Sequence, residues 1–313
     1  MSQTRNTSQP LHIVLGASGG AGLAILQELI SQGKNAVGVN SSGKIPTGVN
    51  AEFKKADALN KNELMKACQG ASFIYHAINV PYQQWSEKLI PMMENVISTA
   101  KDNNAKLVYI DNLYAYGPVE KPMTEDMPND ATDTKGILRG KLVDKLIKSY
   151  DQAVIIRGSD FYGANIQGHL ADLVFKNILS DKPSQIIGDI NKLHTYTYIK
   201  DFAKATVFLA EKPQAYGQVW QAPNAQTVST KAMLDEIYKQ AGKTPKIQGL
   251  NGILFNILSL FSPILRELKP LYYQRDRDYV VDSSKFETAF GKFHTTPYKI
   301  AIAETWEWYK SRK

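Results

Sequence analysis

Seven residues near the amino terminus carry the most chemistry in their spacing: Gly16-Ala17-Ser18-Gly19-Gly20-Ala21-Gly22. They follow the apolar run Leu11–Leu15 and open a helical pattern. Gly16 permits a tight turn, Gly19 bares the backbone to a pyrophosphate, and Gly22 lets the helix pack close to the sheet. The helix start offers unsatisfied N–H groups and the positive end of its dipole to phosphates. Ser18 and Gly20 complete the loop. A glycine triplet alone is a weak signal. Placed between a strand and a helix, it implies a dinucleotide-binding site.

A second group lies at the end of the next strand, Val39-Asn40-Ser41-Ser42-Gly43-Lys44. NAD-preferring sites put an acid there to hold the ribose hydroxyls; NADP sites replace it with cations or small polar groups. No acid is present. Asn40, Ser41, Ser42 and Lys44 are groups that can bond a 2′-phosphate, so the expected cofactor is NADP, with NAD the less favoured alternative.

The elements that must position these residues follow from hydrophobic periodicity. Strands are expected at Leu11–Leu15, Ala36–Val39, Glu52–Lys55, Ser72–His76, Leu107–Asp111 and Ala153–Arg157. Helical patterns fill Ala21–Ile30, Asn62–Cys68, Trp85–Ala100 (with Pro91 as a kink or restart) and Lys141–Ser149. Later helices are expected after Asp201 to Glu211, at Thr230–Gln240 with Ser229 or Thr230 as cap, and at Ile300–Tyr309. Strand and helix alternating at this spacing predict an α/β fold with a doubly wound parallel sheet and ligands at the carboxyl ends of its strands. A smaller substrate lobe is expected from 164–195 and 217–313. The dinucleotide-binding domain would take 1–163, with 196–216 returning to it.

The glycine spacing G-x-x-G-x-x-G resembles that of the short-chain dehydrogenase/reductase superfamily, in its extended and atypical branches of NAD-dependent epimerase/dehydratase-like proteins. The resemblance runs through most of the chain. Ala56-Asp57, beside Ala58, resembles the family's adenine-contacting segment, and Tyr75-His76-Ala77 its turn beside the cofactor. Tyr116-Gly117-Pro118, Arg157-Gly158-Ser159-Asp160-Phe161-Tyr162-Gly163 and Tyr198-Ile199-Lys200-Asp201 resemble three further segments in the family's order. The resemblance implies a Rossmann-type fold. It also implies cofactor contacts from Asp57, Ala58, His76, Ala77, Lys141 and Asp160, and a homodimer.

At the catalytic positions the sequence departs from the family. The family uses Ser or Thr after strand five, then Tyr-x-x-x-Lys on the following helix. Here Asn112 takes the serine position, Lys141 matches the lysine, and Ile137 stands where the tyrosine would be. Isoleucine moves no proton. Three readings stay open. Tyr114, two residues after Asn112 and on the same side of an extended chain, could act with Lys141 lowering its pKa. A substrate or water proton could serve instead. Or the chain binds the dinucleotide without turnover, as a redox sensor.

Other groups are expected to be structural. His76 reads as a cofactor-side turn residue, and Tyr116 as a turn residue. His12, His169, His194 and His294 are scattered without metal-ligand spacing, so no metal is expected. Glu125-Asp126 resembles a loop segment that gates the pocket, though a solvated loop explains it too. Cys68, the single cysteine, reads as packing and fits a reducing, cytoplasmic setting. Arg275-Asp276-Arg277-Asp278 reads as a solvated charged turn.

The 313 residues are 43% hydrophobic and 21% charged, with net charge +7 spread among acids rather than gathered into a nucleic-acid footprint. Met1–Pro10 is polar, without the apolar core of a signal peptide, and reads as a lead-in to the first strand. The most apolar stretch, Leu250–Leu265, is interrupted by Asn251, Asn256, Ser259, Ser262 and Pro263. It falls short of the roughly 20 apolar residues of a membrane span. Phe255, Leu258, Leu260, Phe261 and Ile264 suggest the wall or lid of a site for a small apolar carbonyl or alcohol substrate. A dimer face would look the same.

Overall fold

The computed structural model describes residues 9–250 and 252–312, together with every side chain there except that of residue 264. Residues 1–8 of the expected lead-in, Asn251 and the Ile264 side chain lie outside it.

The chain divides into two compact units, the first comprising residues through Asn112, Leu138–Arg157 and Phe202–Ala222. Its centre is a sheet of β1 (Leu11–Leu15), β2 (Asn35–Asn40), β3 (Glu52–Lys55), β4 (Phe73–His76), β5 (Lys106–Asp111), β6 (Ala153–Arg157) and the strand Val219–Gln221. The spatial order is Val219–Gln221, β6, β5, β4, β1, β2, β3. Every neighbouring pair is parallel. The order in which successive strands are added reverses between β1 and β4, which run parallel with Leu15 in register with His76. The crevice at such a switch point is where open α/β sheets bind ligands.

The helices follow from the apolar spacing. α1 (Gly20–Ser31) buries Leu23, Ile25, Leu26 and Leu29. α2 (Lys61–Ala67) is capped by Asn60, whose side chain accepts from the Glu63 N–H at 3.2 Å while donating to Glu63 Oε1 at 3.0 Å. α3 (Trp85–Asp102) continues through Pro91. α4 (Thr134–Ser149) begins about two turns earlier than the expected Lys141. Gly136 and Gly140 weaken its helical appearance, but Asp133 caps it, accepting from the N–H groups of Lys135 at 2.9 Å and Gly136 at 3.0 Å.

The second unit comprises Leu113–Ile137, Gly158–Asp201 and Pro223–Lys313. It thus includes 113–137, 158–163 and 196–201, all assigned above to the dinucleotide-binding domain, while 217–222 falls in the first unit. Short paired strands surround a core in which helices Thr230–Ala241 and Tyr298–Lys310 bury Met233, Leu234, Ile237, Ile302 and Trp306. Ser229 is the cap of the first of these, accepting from the Ala232 N–H at 3.1 Å. Among the described residues, no helix is long and apolar enough to cross a membrane.

Candidate functional site

The glycine loop has the backbone its spacing requires. Gly16 has φ +77°, a region open mainly to glycine. A Cβ there would lie 2.8 Å from the Ala77 carbonyl oxygen, and one on Gly22 would lie 2.3 Å from that of Gly16. Neither site has room for a methyl group. Gly19, the N-cap of α1, makes no side-chain cap, so no cap side chain occupies the first-turn N–H groups, which could receive an anion.

Asn40 ties this loop to the end of β2. Its Nδ2 donates to Ser18 Oγ at 2.6 Å and to the Lys44 carbonyl at 2.9 Å. Its Oδ1 accepts from Ser42 N, Ser42 Oγ and Gly43 N at 3.1, 3.0 and 2.5 Å. The amide is therefore fully engaged in folding the loop. Ser41, Ser42 and Lys44 stay exposed. The sequence reading missed Lys55, also exposed and in register with Asn40 on β3. A Cβ on Gly43 would lie 3.0 Å from the Lys55 Cβ, so this corner of the first unit carries two cations.

Asp57 also shapes its own loop, accepting from the Leu59 N–H at 3.0 Å. Ala58 is buried, and its carbonyl accepts from Asn95 at 2.9 Å. Ala77 donates its N–H to Leu15 beside the glycine turn. His76 is buried with Nδ1 lacking a hydrogen-bond partner. Burial, helped by the Arg139 charge, pushes its pKa down to about 3, so it is a neutral imidazole.

The cation that α4 directs into the first unit is Arg139, absent from the sequence reading. It is buried, with its guanidinium over Trp85 at 4.4 Å from the ring centroid. It donates to Tyr109 Oη at 2.7 Å and to Asp111 Oδ1 and Asn79 Oδ1 at 3.4 Å. Arg157 meets the other Asp111 oxygen at 3.0 Å. Lys141, expected to act, is exposed. Ile137 is 42% exposed where the family tyrosine would stand.

Asn112 and Tyr114 are each half-buried. The extended-chain reason for placing them on one side does not apply: Leu113 has φ −99° and ψ 3°, and Tyr114–Tyr116 forms a 3-10 turn. Tyr116 is buried, as expected of a turn residue.

In the second unit Asp160 is committed to other side chains, where a cofactor contact was expected. Its Oδ2 accepts from His194 Nε2 at 3.0 Å and pairs with Arg275. Burial opposes ionisation of Asp160, but Arg275 and His194 outweigh it and hold the carboxyl well below the usual range. Arg275, read as part of a solvated turn, thus belongs to a partly buried ion pair; burial opposes its charge, and Asp160 outweighs burial and favours it. His169, beside this group, has Nδ1 buried without a partner, and burial and Arg275 bring its pKa down to about 3.

The apolar stretch Leu250–Leu265 divides between core and surface. Helix Gly252–Phe261 buries Phe255 and Ser259 and exposes Leu258, Leu260 and Phe261.

Comparison with known proteins agrees with this architecture. An uncharacterized UDP-glucose epimerase of Bacillus subtilis is 21% identical over 291 residues, covering 83% of this chain and 92% of the relative. The dTDP-glucose 4,6-dehydratase of Bacillus anthracis, solved in complex with NAD, superposes with TM-score 0.80 at 17% identity, covering 97% of each chain. The UDP-glucuronic acid 4-epimerase of Bacillus cereus, also with NAD, gives 0.79 at 21% identity, covering 96% of this chain and 99% of its own. These likenesses are to the fold. The family model for NAD dependent epimerase/dehydratase proteins matches residues 12–222, from β1 through the last strand of the sheet, and the chain belongs to that family.

Proposed function

We propose that this chain is an NAD(P)-dependent oxidoreductase or epimerase with a non-standard active site, acting on an uncharged, apolar carbonyl or alcohol. The observation that carries the reading is the cradle at Gly16–Gly22, with its positive φ, its lack of room for a methyl group, and the α1 N-terminus without a side-chain cap. His76, with a buried nitrogen lacking a partner, is a further polar group at the switch point. Bound there, a nicotinamide dinucleotide supplies or accepts hydride. NADP is favoured over NAD because β2 ends without an acid, and Lys44 and Lys55 offer charge to a 2′-phosphate. The structural neighbours named above hold NAD, which makes cofactor preference the first property to measure.

Tyr114 is the proposed proton donor, a role of the family's tyrosine that Ile137 cannot fill. Arg139, not the exposed Lys141, is the buried cation beside β5, donating to Tyr109 and Asp111. Asp160 neutralises Arg275 in the second unit, and this supports an uncharged substrate over a nucleoside diphosphate. The reading is tested by NADPH oxidation with a panel of apolar aldehydes and ketones. Tyr114→Phe should lower turnover by about 10²-fold or more and leave NADPH affinity unchanged.

A dinucleotide-binding sensor without turnover is the second reading, favoured by the exposed Ile137. It expects tight binding and no oxidation with any compound, in the native chain as in Tyr114→Phe.

A further inference from the structure

An open α/β sheet binds its ligand in the crevice at the switch point, between the loops that leave the two diverging strands. In the first unit those strands are β1 and β4. One wall of the crevice is the glycine loop after β1. The other is 77–81, the segment that leaves β4, which has neither helix nor strand. The two walls touch at Gly16, where a Cβ would lie 2.8 Å from the Ala77 carbonyl oxygen and 2.9 Å from the Ile78 Cα. The Ala77 N–H donates to the Leu15 carbonyl at 3.0 Å. Beyond Ala77 the wall leaves the sheet.

Arg139 reaches this wall from α4. Its guanidinium lies over Trp85, the first residue of α3, at 4.4 Å from the ring centroid. Trp85 donates its Nε1–H back to the Val80 carbonyl at 2.8 Å and meets the Tyr82 ring edge-on at 4.9 Å. Nη2 of Arg139 donates to Asn79 Oδ1 at 3.4 Å. Nη1 is anchored on β5, at 2.7 Å from Tyr109 Oη and 3.4 Å from Asp111 Oδ1. The charge also reaches His76, the last residue of β4, where it adds to burial in keeping the imidazole neutral. One buried side chain thus ties Asn79 directly, and Val80 and Tyr82 through Trp85, to the central sheet.

Charge balance does not account for this arginine. Arg157 already meets Asp111 at 3.0 Å, and a buried ion can often give way to an apolar side chain of similar volume without loss of stability. Arginine supplies what an apolar side chain or a lysine does not: a flat face for an aromatic ring and a fixed fork of donors for separate acceptors at its edge.

We propose that Arg139 is a positioning residue of the crevice, fixing the 77–81 wall against the glycine loop so that the site is preformed for a dinucleotide. The assignment rests on the reading of Gly16–Gly22 as a dinucleotide cradle. A preformed wall spares the ligand the cost of ordering it, so its loss is read in affinity.

The test pairs fluorescence titration with NADPH and hydrogen exchange read by mass spectrometry, on the full-length protein and three variants. Arg139→Lys keeps the charge and loses the flat face and the fork. It should bind NADPH at least about tenfold more weakly. Its amides in 77–84 should exchange at least about tenfold faster, with those of β6 unchanged. Asn79→Ala removes an exposed side chain and leaves the buried charges in place. Trp85→Phe keeps an aromatic face and removes the bond to Val80. Each of these two should show a smaller loss in both readouts, about threefold, and they decide the matter should Arg139→Lys fail to fold. Wild-type affinity and exchange in all three variants overturn the assignment. So does a lower melting temperature in Arg139→Lys with affinity retained, the result of a merely structural cation. A wild-type protein that binds neither NADPH nor NADH overturns the cradle reading and the assignment with it, whereas failure of the assignment alone leaves wild-type binding intact.

Discussion

Arg139 and Tyr109 form a 2.7 Å hydrogen bond between two buried side chains, and the same guanidinium reaches the Asp111 carboxylate at 3.4 Å. Asp111 thereby balances two buried cations, Arg139 and Arg157. Asp111→Ala leaves both uncompensated and should destabilise the protein by about 3–5 kcal/mol in urea unfolding. Tyr109→Phe removes one neutral acceptor and should cost less, about 1–3 kcal/mol.

Gly22→Ala places a methyl 2.3 Å from the Gly16 carbonyl oxygen. Both atoms belong to backbone, so the turn must open. The variant should bind dinucleotide at least about tenfold more weakly and lose about 1–3 kcal/mol of stability. Gly33→Ala, at a positive-φ position with open space around it, serves as the control: it should lose stability and keep its affinity.

Lys44→Ala and Lys55→Ala, singly, should each weaken NADPH binding by about tenfold, as expected for one charge-assisted contact, and leave NADH binding unchanged. Equal losses for both cofactors would place the lysines elsewhere than at a 2′-phosphate.

Acid should destabilise the fold through its buried histidines. Burial lowers His12, His76 and His169 to about 4, 3 and 3, whereas unfolded histidine titrates near 6.5. Between those values the unfolded chain binds more protons than the folded one, so stability falls as pH falls. The slope should be at most about 1.4 kcal/mol per pH unit for each histidine. Urea midpoints measured from pH 7 down to pH 4 check this, and His76→Asn should flatten the curve. Asp160, held low by Arg275 and His194 against its burial, adds a loss only in more acidic solution.

Much of the first unit was legible because most of its strands are short apolar runs, β3 with its single Phe53 being the exception. β1, β3 and β6 have the bounds their residues suggest. The glycine loop was legible because its side-chain absences have a backbone cause. Arg139 was given no role because only Lys141 matched the family's lysine, four residues after Ile137. Taken from Thr134, the buried positions Leu138, Leu142, Val143 and Leu146 put Arg139 on the inner face and Lys141 on the outer. Lys55 escaped because only strand pairing brings it beside Asn40. The Asp160–Arg275 pair joins residues 115 apart, a separation no local pattern reveals. The outward face of Gly252–Phe261 stayed one of two open readings because an apolar run reads the same whether it faces core or solvent.

The central claim is that the cradle at Gly16–Gly22 binds a nicotinamide dinucleotide, NADP in preference to NAD. Fluorescence titration of the folded, nucleotide-free protein with NADPH and with NADH tests it most directly. The account predicts saturable binding of NADPH, weaker binding of NADH, and loss of both in Gly22→Ala. Tighter binding of NADH would contradict the phosphate assignment at Lys44 and Lys55, and binding of neither would contradict the cofactor site itself.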